Sequence, residues 1–319
     1  MAYNFKETMN KKERLAPGHR MCAGCGGTIA VRNVLRGLNE EDKAVICNAT
    51  SCLEVSTFMY PYTAWEDSFI HTAFACAGAT LSGVESAYEA LRKKGKVNDN
   101  YKFIAFGGDG GTYDIGLQSL SGAMERNHDL VYVCSDNGAY MNTGIQRSSA
   151  TPMYADTTTT PVVRESNGKT QNRKDLASII ADHNVPYVAQ TTFIKNLKDL
   201  HTKSEKAIYT KGAAFLNVMA PCPRGWRYSA ENIMEVCKMA VETCYWPLFE
   251  VIEGKWILNY KPKEKLPIEE FLRLQGRFKH LFKPENEYLI HELQEEVDRR
   301  WEDLLRRCGE EVIVKSEAY

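Results

Sequence analysis

Two short glycine-rich turns carry the first chemical signal in this sequence. Gly107-Gly108-Asp109-Gly110-Gly111 follows the apolar run Lys102–Phe106, and Asp136-Asn137-Gly138 follows the apolar run Leu130–Ser135. Such runs read as buried strands, and ligands of open α/β sheets sit at the carboxyl ends of strands. Glycines permit positive φ and close backbone approach to a ligand, while an aspartate beside them can hold a hard cation. Twenty-five residues lie between Gly110 and Asp136, room for one helix and one strand, so the turns fit neighbouring strand ends that share one metal. Mg²⁺ is bound through few protein oxygens and completed by phosphate oxygens. Either turn alone is also an ordinary strand-to-helix turn; the pair at this spacing points to a Mg²⁺–diphosphate site. No GxGxxG fingerprint is present, which weighs against a dinucleotide fold.

The ten cysteines are the second signal. Cys22-Ala23-Gly24-Cys25 is a CxxC in a glycine-rich turn, a geometry that lets two thiolates face one metal. Cys52 lies just past the apolar run Lys43–Asn48. Cys222, between Pro221 and Pro223, follows the run Ala214–Met219. Both lie at the strand-end side that carries the two glycine turns. A CxxC also fits a thioredoxin-like redox pair or half a zinc site, and four such thiolates suit zinc as well as an iron–sulfur cluster. Cys47 and Cys134 fall inside strand runs and Cys76 in a helical one. These three, with Cys237, Cys244 and Cys308, read as buried apolar thiols.

The elements that must position these groups alternate between strand and helix. A helix over Thr28–Leu38 precedes the strand Lys43–Asn48. The Ala-rich stretch His71–Arg92 reads as a helix whose small residues allow close packing. Asp114–Arg126 reads as the helix between the strands Lys102–Phe106 and Leu130–Ser135. That strand–helix–strand unit is the building block of a parallel sheet. Residues 142–173 form a long polar loop over the sheet edge. Helix Asp175–Asp182, strand Tyr187–Gln190, helix Asn196–Tyr209 and strand Ala214–Met219 then complete a doubly wound, mostly parallel α/β domain over residues 21–226. Residues 1–20 read as an N-terminal arm. Residues 227–319 read as a helical extension, with helices near Glu231–Tyr245 and Glu285–Arg307, that packs on the domain or on a partner.

Composition limits the classes that remain. With 319 residues and 44% hydrophobic content, the chain is long enough for one large α/β domain. Forty basic against forty-one acidic residues argue against nucleic acid as a partner. No apolar run reaches the ~20 residues of a membrane span. Met1–Arg20 is polar and unlike a secretory signal, which places the chain in the cytoplasm. Thiols in that compartment bind metal or do redox work more often than they pair.

Taken together, CAGCGG at Cys22, NATSCLE at Asn48, IHTAFACAGA at Ile70, FGGDGGTYDIG at Phe106, SDNGAYMNTGIQRSSATP at Ser135, PCPRGW at Pro221 and LQGRFKHLF at Leu274 carry a resemblance. From about Pro17 to Phe282 the chain resembles the thiamine-pyrophosphate-binding β subunit of the pyruvate/2-oxoacid:ferredoxin oxidoreductase family. The resemblance implies a thiamine-diphosphate-binding fold and a [4Fe–4S] cluster on Cys22, Cys25, Cys52 and Cys222. It also implies Mg²⁺ on the side chains of Asp109 and Asn137 and the backbone carbonyl of Ala139. Thr50, Ser51, Cys52, Leu53, His71, Gly110, Gly111, Met141 and Asn142 would surround the cofactor, with Asn142 also reaching the substrate. It assigns no role to Glu54 or to Ser148–Pro152. The implied reaction is oxidative decarboxylation of a 2-oxoacid to acyl-CoA and CO₂. Tyr60–Trp65 and the LQGRF segment look more like pyruvate-type members; branched-chain and aryl 2-oxoacids stay open. Implied partners are a pyrimidine-binding α subunit, a ferredoxin-like subunit, coenzyme A and ferredoxin. A non-redox thiamine decarboxylase subunit would leave the cysteines idle, and a cluster or zinc subunit without catalysis would leave the turns idle. Zinc cannot accept the electrons such a thiamine site would release.

Overall fold

The computed structural model describes residues 3–311. In chain order its strands are β1 (Lys43–Ala49), β2 (Phe58–Met59), β3 (Tyr62–Thr63), β4 (Ser68–Thr72), β5 (Tyr101–Gly108), β6 (Val131–Asp136), β7 (Val162–Val163), β8 (Ser166–Asn167), β9 (Tyr187–Thr191), β10 (Ala214–Met219), β11 (Phe249–Ile252) and β12 (Lys255–Leu258). Eight of them form one sheet in the order β12-β11-β9-β10-β6-β5-β1-β4; β2–β3 and β7–β8 are separate hairpins. From β9 to β4 every pairing is parallel. Parallel strands are covered on both faces and so carry unbroken apolar runs. VYVCSD of β6 and AFLNVM of β10 are buried at every residue. The doubly wound reading therefore holds, and no helix of the described residues is long and apolar enough to cross a membrane.

Several boundaries move. His71 and Thr72 belong to β4, paired with Asn48 and Ala49 of β1, and the helix expected from His71 begins only at Ala77. The Ala-rich composition after Ala73 masked the short SFIHT strand before it. The small face of that helix packs on another helix: a Cβ on Gly78 would stand 3.0 Å from the Ser119 carbonyl. The helix expected from Asp114 is in two parts, a π-helical turn Gly110–Ile115 and the α-helix Leu117–Glu125. Such π-turns are rare and gather at functional sites.

The tail is more than helical, because the sheet does not end near Trp226. β11 pairs antiparallel with β9, and β12 with β11, giving the parallel sheet an antiparallel edge. The helix Glu287–Cys308 then packs on β12 and on the helix Ile268–Arg273. Glu250 fastens the added strand. It is 3% exposed and accepts hydrogen bonds from Tyr187 Oη and Lys206 Nζ, each at 2.8 Å, and from Asn259 Nδ2 at 3.0 Å.

Burial pushes the Glu250 carboxyl up, but the hydrogen bonds from Lys206, Tyr187 and Asn259 outweigh it and hold it below its usual value. A depressed carboxyl stabilises the fold above its unfolded pKa and loses that contribution as acid protonates it. Glu250→Gln should cost about 1–3 kcal/mol at pH 7. The gap from wild type should narrow as pH falls below the ordinary glutamate value, measured by urea unfolding at both pH values.

Candidate cofactor site at four strand ends

β10, β6, β5 and β1 are neighbours in the sheet, so their carboxyl ends open onto one place. β1 delivers Thr50, Ser51, Cys52 and Leu53; β5 delivers Asp109, Gly110 and Gly111. β6 delivers Asn137, Ala139, Met141 and Asn142, and β10 delivers Cys222. All of these residues, with Cys22 and Cys25, line one cavity of about 380 Å³. His71 does not. Its exposed ring stacks on Phe58 at 5.5 Å and its Nδ1 pairs with Glu54 Oε1 at 2.9 Å. Another cavity, about 300 Å³, lies between the last helix and the antiparallel sheet edge, and none of the expected site residues lines it.

Close backbone packing brings the CxxC to Cys222. Gly24 turns the chain with φ +69°, and a Cβ on Gly26 would stand 2.5 Å from the Ala220 carbonyl carbon. Only glycine lets the helix Gly26–Leu35 start there, with Gly26 N donating to the Pro221 carbonyl at 3.1 Å. The four cysteines then share one cavity wall. Burial raises Cys25 and Cys222, against backbone hydrogen bonds that lower each, and pushes Cys52 up to about 12. Gly225 N donates to Cys222 Sγ at 3.3 Å. Among the described residues no group of three or more His, Cys, Asp or Glu side chains is gathered as a site for a single metal ion.

Glycines 107, 108, 110 and 111 do not use the positive φ open to them. The strand runs through Gly108 and the π-turn follows, so no sharp reversal is needed. Gly110 makes room instead for Tyr140, whose ring would meet a Cβ at 2.3 Å.

Oxygen atoms converge at the two turns. The Asn137 side-chain amide lies 3.0 Å from Asp109 Oδ1 and 2.8 Å from the Ala139 carbonyl oxygen. Turned with its nitrogen inward, the amide donates to both oxygens. Asp109 is 1% exposed. Burial, and then the Asp136 carboxylate, raise its carboxyl well above the usual range, against hydrogen bonds from Ser148 and Asn137. Ser148 Oγ donates to Asp109 Oδ2 at 2.5 Å, and Thr151 Oγ1 to the Gly138 carbonyl at 2.7 Å. Asp136 Oδ2 accepts from Tyr113 Oη and Arg173 Nη2, both at 2.7 Å, while its Oδ1 accepts from Gly138 N at 3.1 Å.

Ser148, Thr151, Tyr113 and Arg173 were missed as parts of this site. The Ser148–Pro152 run carried a resemblance without a role. Nothing in a single sequence marks Arg173, the far end of a long loop, as the partner of Asp136.

A doubly wound sheet with converging donors at adjacent strand ends defines a cofactor-binding α/β protein. The family described as thiamine pyrophosphate enzyme, C-terminal TPP binding domain, matches residues 48–218. That span contains both glycine turns and Cys52 but neither the CxxC nor Cys222. The pyruvate synthase subunit PorB of Thermotoga maritima is 50% identical over 315 residues, covering 96% of each chain. The ketoisovalerate oxidoreductase subunit VorB of Pyrococcus furiosus is 42% identical over 299 residues, covering 93% of this chain and 94% of that one. A solved 2-oxoglutarate:ferredoxin oxidoreductase from Magnetococcus marinus, with 2-oxoglutarate, coenzyme A and succinyl-CoA bound, shares the fold. Its TM-score is 0.55 at 21% identity, over 74% of this chain and 81% of that one. The chain belongs to the pyruvate/2-oxoacid:ferredoxin oxidoreductase family, as a thiamine-pyrophosphate-binding β subunit.

A raised carboxyl destabilises the fold increasingly as pH climbs above its unfolded value. The cofactor-free Asp109→Asn chain should therefore match wild type near pH 4. It should exceed wild type by about 1–3 kcal/mol at pH 8. Chemical unfolding of the two proteins across that range checks it.

Proposed function

We propose that this chain performs the thiamine-dependent half of a pyruvate:ferredoxin oxidoreductase, holding Mg²⁺–thiamine pyrophosphate and a [4Fe–4S] cluster in one cavity. The observation that carries it is the gathering of the Asp109 carboxyl, the Asn137 amide and the Ala139 carbonyl in a cavity wall that also holds Cys22, Cys25, Cys52 and Cys222. The orphaned charge of buried Asp109 is what such a cation would neutralise. For the cluster, the support is four cysteines lining one cavity with a backbone N–H on one sulfur, a contact that tunes iron–sulfur centres.

Thiamine pyrophosphate, when bound, supplies an electron sink for the carbonyl carbon of a 2-oxoacid. The chain's residues prepare its place. Asp109, Asn137 and the Ala139 carbonyl would hold the metal, and Thr50–Leu53, Gly110, Gly111 and Met141 would line the cofactor's bed. Asn142, exposed in the wall, offers an amide to the substrate carboxylate or keto oxygen. Cys22, Cys25, Cys52 and Cys222 would hold the cluster, which would supply one-electron transfer toward ferredoxin, and coenzyme A would take the acyl group. His71 lies outside the wall, its ring stacked on Phe58 and paired with Glu54. A cytoplasmic complex with a pyrimidine-binding α subunit and a ferredoxin-like subunit completes the assignment.

Anaerobic purification with thiamine, iron and sulfide analysis tests the cofactors. Asp109→Ala should lose thiamine pyrophosphate and keep iron. Alanine at Cys22, Cys25, Cys52 or Cys222 should each lose iron, whereas Cys47→Ala and Cys134→Ala keep it. Wild-type thiamine in the first, or iron retained in Cys52→Ala, sinks the corresponding ligand set; zinc in place of iron sinks the redox role.

The chain supplies one doubly wound sheet, and the carboxylate that promotes ylid formation on the aminopyrimidine would come from a second. Reconstituted alone with thiamine pyrophosphate, Mg²⁺, iron and sulfide, it should not reduce viologen with pyruvate and coenzyme A. Adding the partner subunits should restore turnover. Substantial activity of the isolated chain would place the missing carboxylate within it.

A further inference from the structure

Arg277 is a buried cation that none of the roles above uses. It lies in the 3₁₀ segment Gly276–Phe282 of the tail and is 2% exposed. Its Cζ stands 3.9 Å from the Trp226 ring centre, and its Nε donates to Gln275 Oε1 at 2.9 Å. Nη2 is buried with no hydrogen-bond partner. Asp136 and Cys222 are among the groups its charge senses, and Asp136 is already held by Arg173 and Tyr113. Burial lowers the guanidinium to about 10, so it stays protonated at neutral pH.

Its position is between the two centres. Trp226 ends the short helix that Cys222 caps, donating its backbone N to the Cys222 carbonyl at 2.9 Å and its Nε1 to the Asn137 carbonyl at 2.6 Å. A Cβ on Gly138 would stand 3.1 Å from Arg277 Nη1. The guanidinium is therefore packed behind both the Cys222 helix and the metal turn. Away from water a charge acts over longer range, and net charge near a cluster helps set its potential.

We propose that Arg277 tunes the reduction potential of the cluster, its unpaired positive charge behind Cys222 favouring the reduced, more negative state. This rests on the cluster assignment to the four cysteines. It makes Arg277 a positioning and tuning residue, not a catalytic one.

The test is a redox titration, followed by electron paramagnetic resonance, of the whole complex carrying wild-type chain, Arg277→Gln, Arg277→Met or Arg277→Lys. The signal followed is the one that Cys222→Ala removes. Gln and Met should lower the midpoint by at least 59 mV, a tenfold change in the reduced-to-oxidised ratio of a one-electron couple. Lys should stay near wild type. Wild-type midpoints in Gln and Met overturn the proposal, as does a Lys variant that falls as far as Gln, which would assign the effect to stacking on Trp226. If Gln and Met fail to load iron, a Lys variant that loads at the wild-type midpoint supports the need for charge, and one that fails too overturns it. Absence of iron from the wild-type chain would instead strike the cluster assignment itself.

Discussion

Two carboxylates buried at adjacent strand ends govern the rest of this structure. Asp136 and Asp109 leave β6 and β5 side by side, each almost without solvent. Like charges so placed disfavour one another, and each must be neutralised or protonated. Asp136 receives a cation, Arg173, and the Tyr113 hydroxyl, itself held by Asn217 Nδ2 at 2.8 Å. Asp109 receives only neutral donors, Ser148 Oγ and the Asn137 N–H. The protein thus satisfies one carboxylate from within and leaves the other short of positive charge, facing the cavity. That asymmetry separates a carboxylate satisfied from within from one still short of a cation, although both sit in similar turns.

The long loop between β6 and β9 exists to maintain this arrangement. Ser148 and Thr151 hold Asp109 and the Gly138 carbonyl, and Arg173 returns from the loop's far end to Asp136. Between them Lys169 is buried, donating to the Thr151 carbonyl at 2.6 Å, and burial lowers its ammonium to about 7. A cation solvated only by carbonyls is an expensive way to anchor a loop. Here it fixes the segment that positions Ser148, so its cost is spent on the site's geometry.

What the sequence disclosed follows from locality. The ends of β1, β5, β6 and β10 could be located because each is an apolar run that stops at a glycine, an acid or a cysteine. Which cysteines face the cavity followed from the same logic: Cys47 and Cys134 are strand-interior and fully buried, whereas Cys52 and Cys222 lie past strand ends. What stayed hidden depends on contacts across the chain. β4 was hidden by the composition of the helix after it, and β11 by a tail whose helices dominate its pattern. Arg277 stands 55 positions after Cys222, on a segment with no strand or metal signal. His71 was assigned by resemblance alone, and in the folded chain its ring meets Phe58 and Glu54 outside the cavity wall.

The site's donors come from positions as far apart as Cys22 and Cys222, so no fragment of the chain carries it. The helix behind the CxxC abuts the end of β10, and β10 lies between β6 and β9. The CxxC can therefore face Cys222 only once the sheet has closed around β10. Trp226, which links Cys222 to the Asn137 carbonyl, is in turn covered by Arg277 from the tail. A group that binds such a site favours the complete fold over every partial one, because only the complete fold presents all its donors. The Asp109 carboxyl, unfavourable as a buried charge in the bare chain, would couple the binding of any neutralising group to folding.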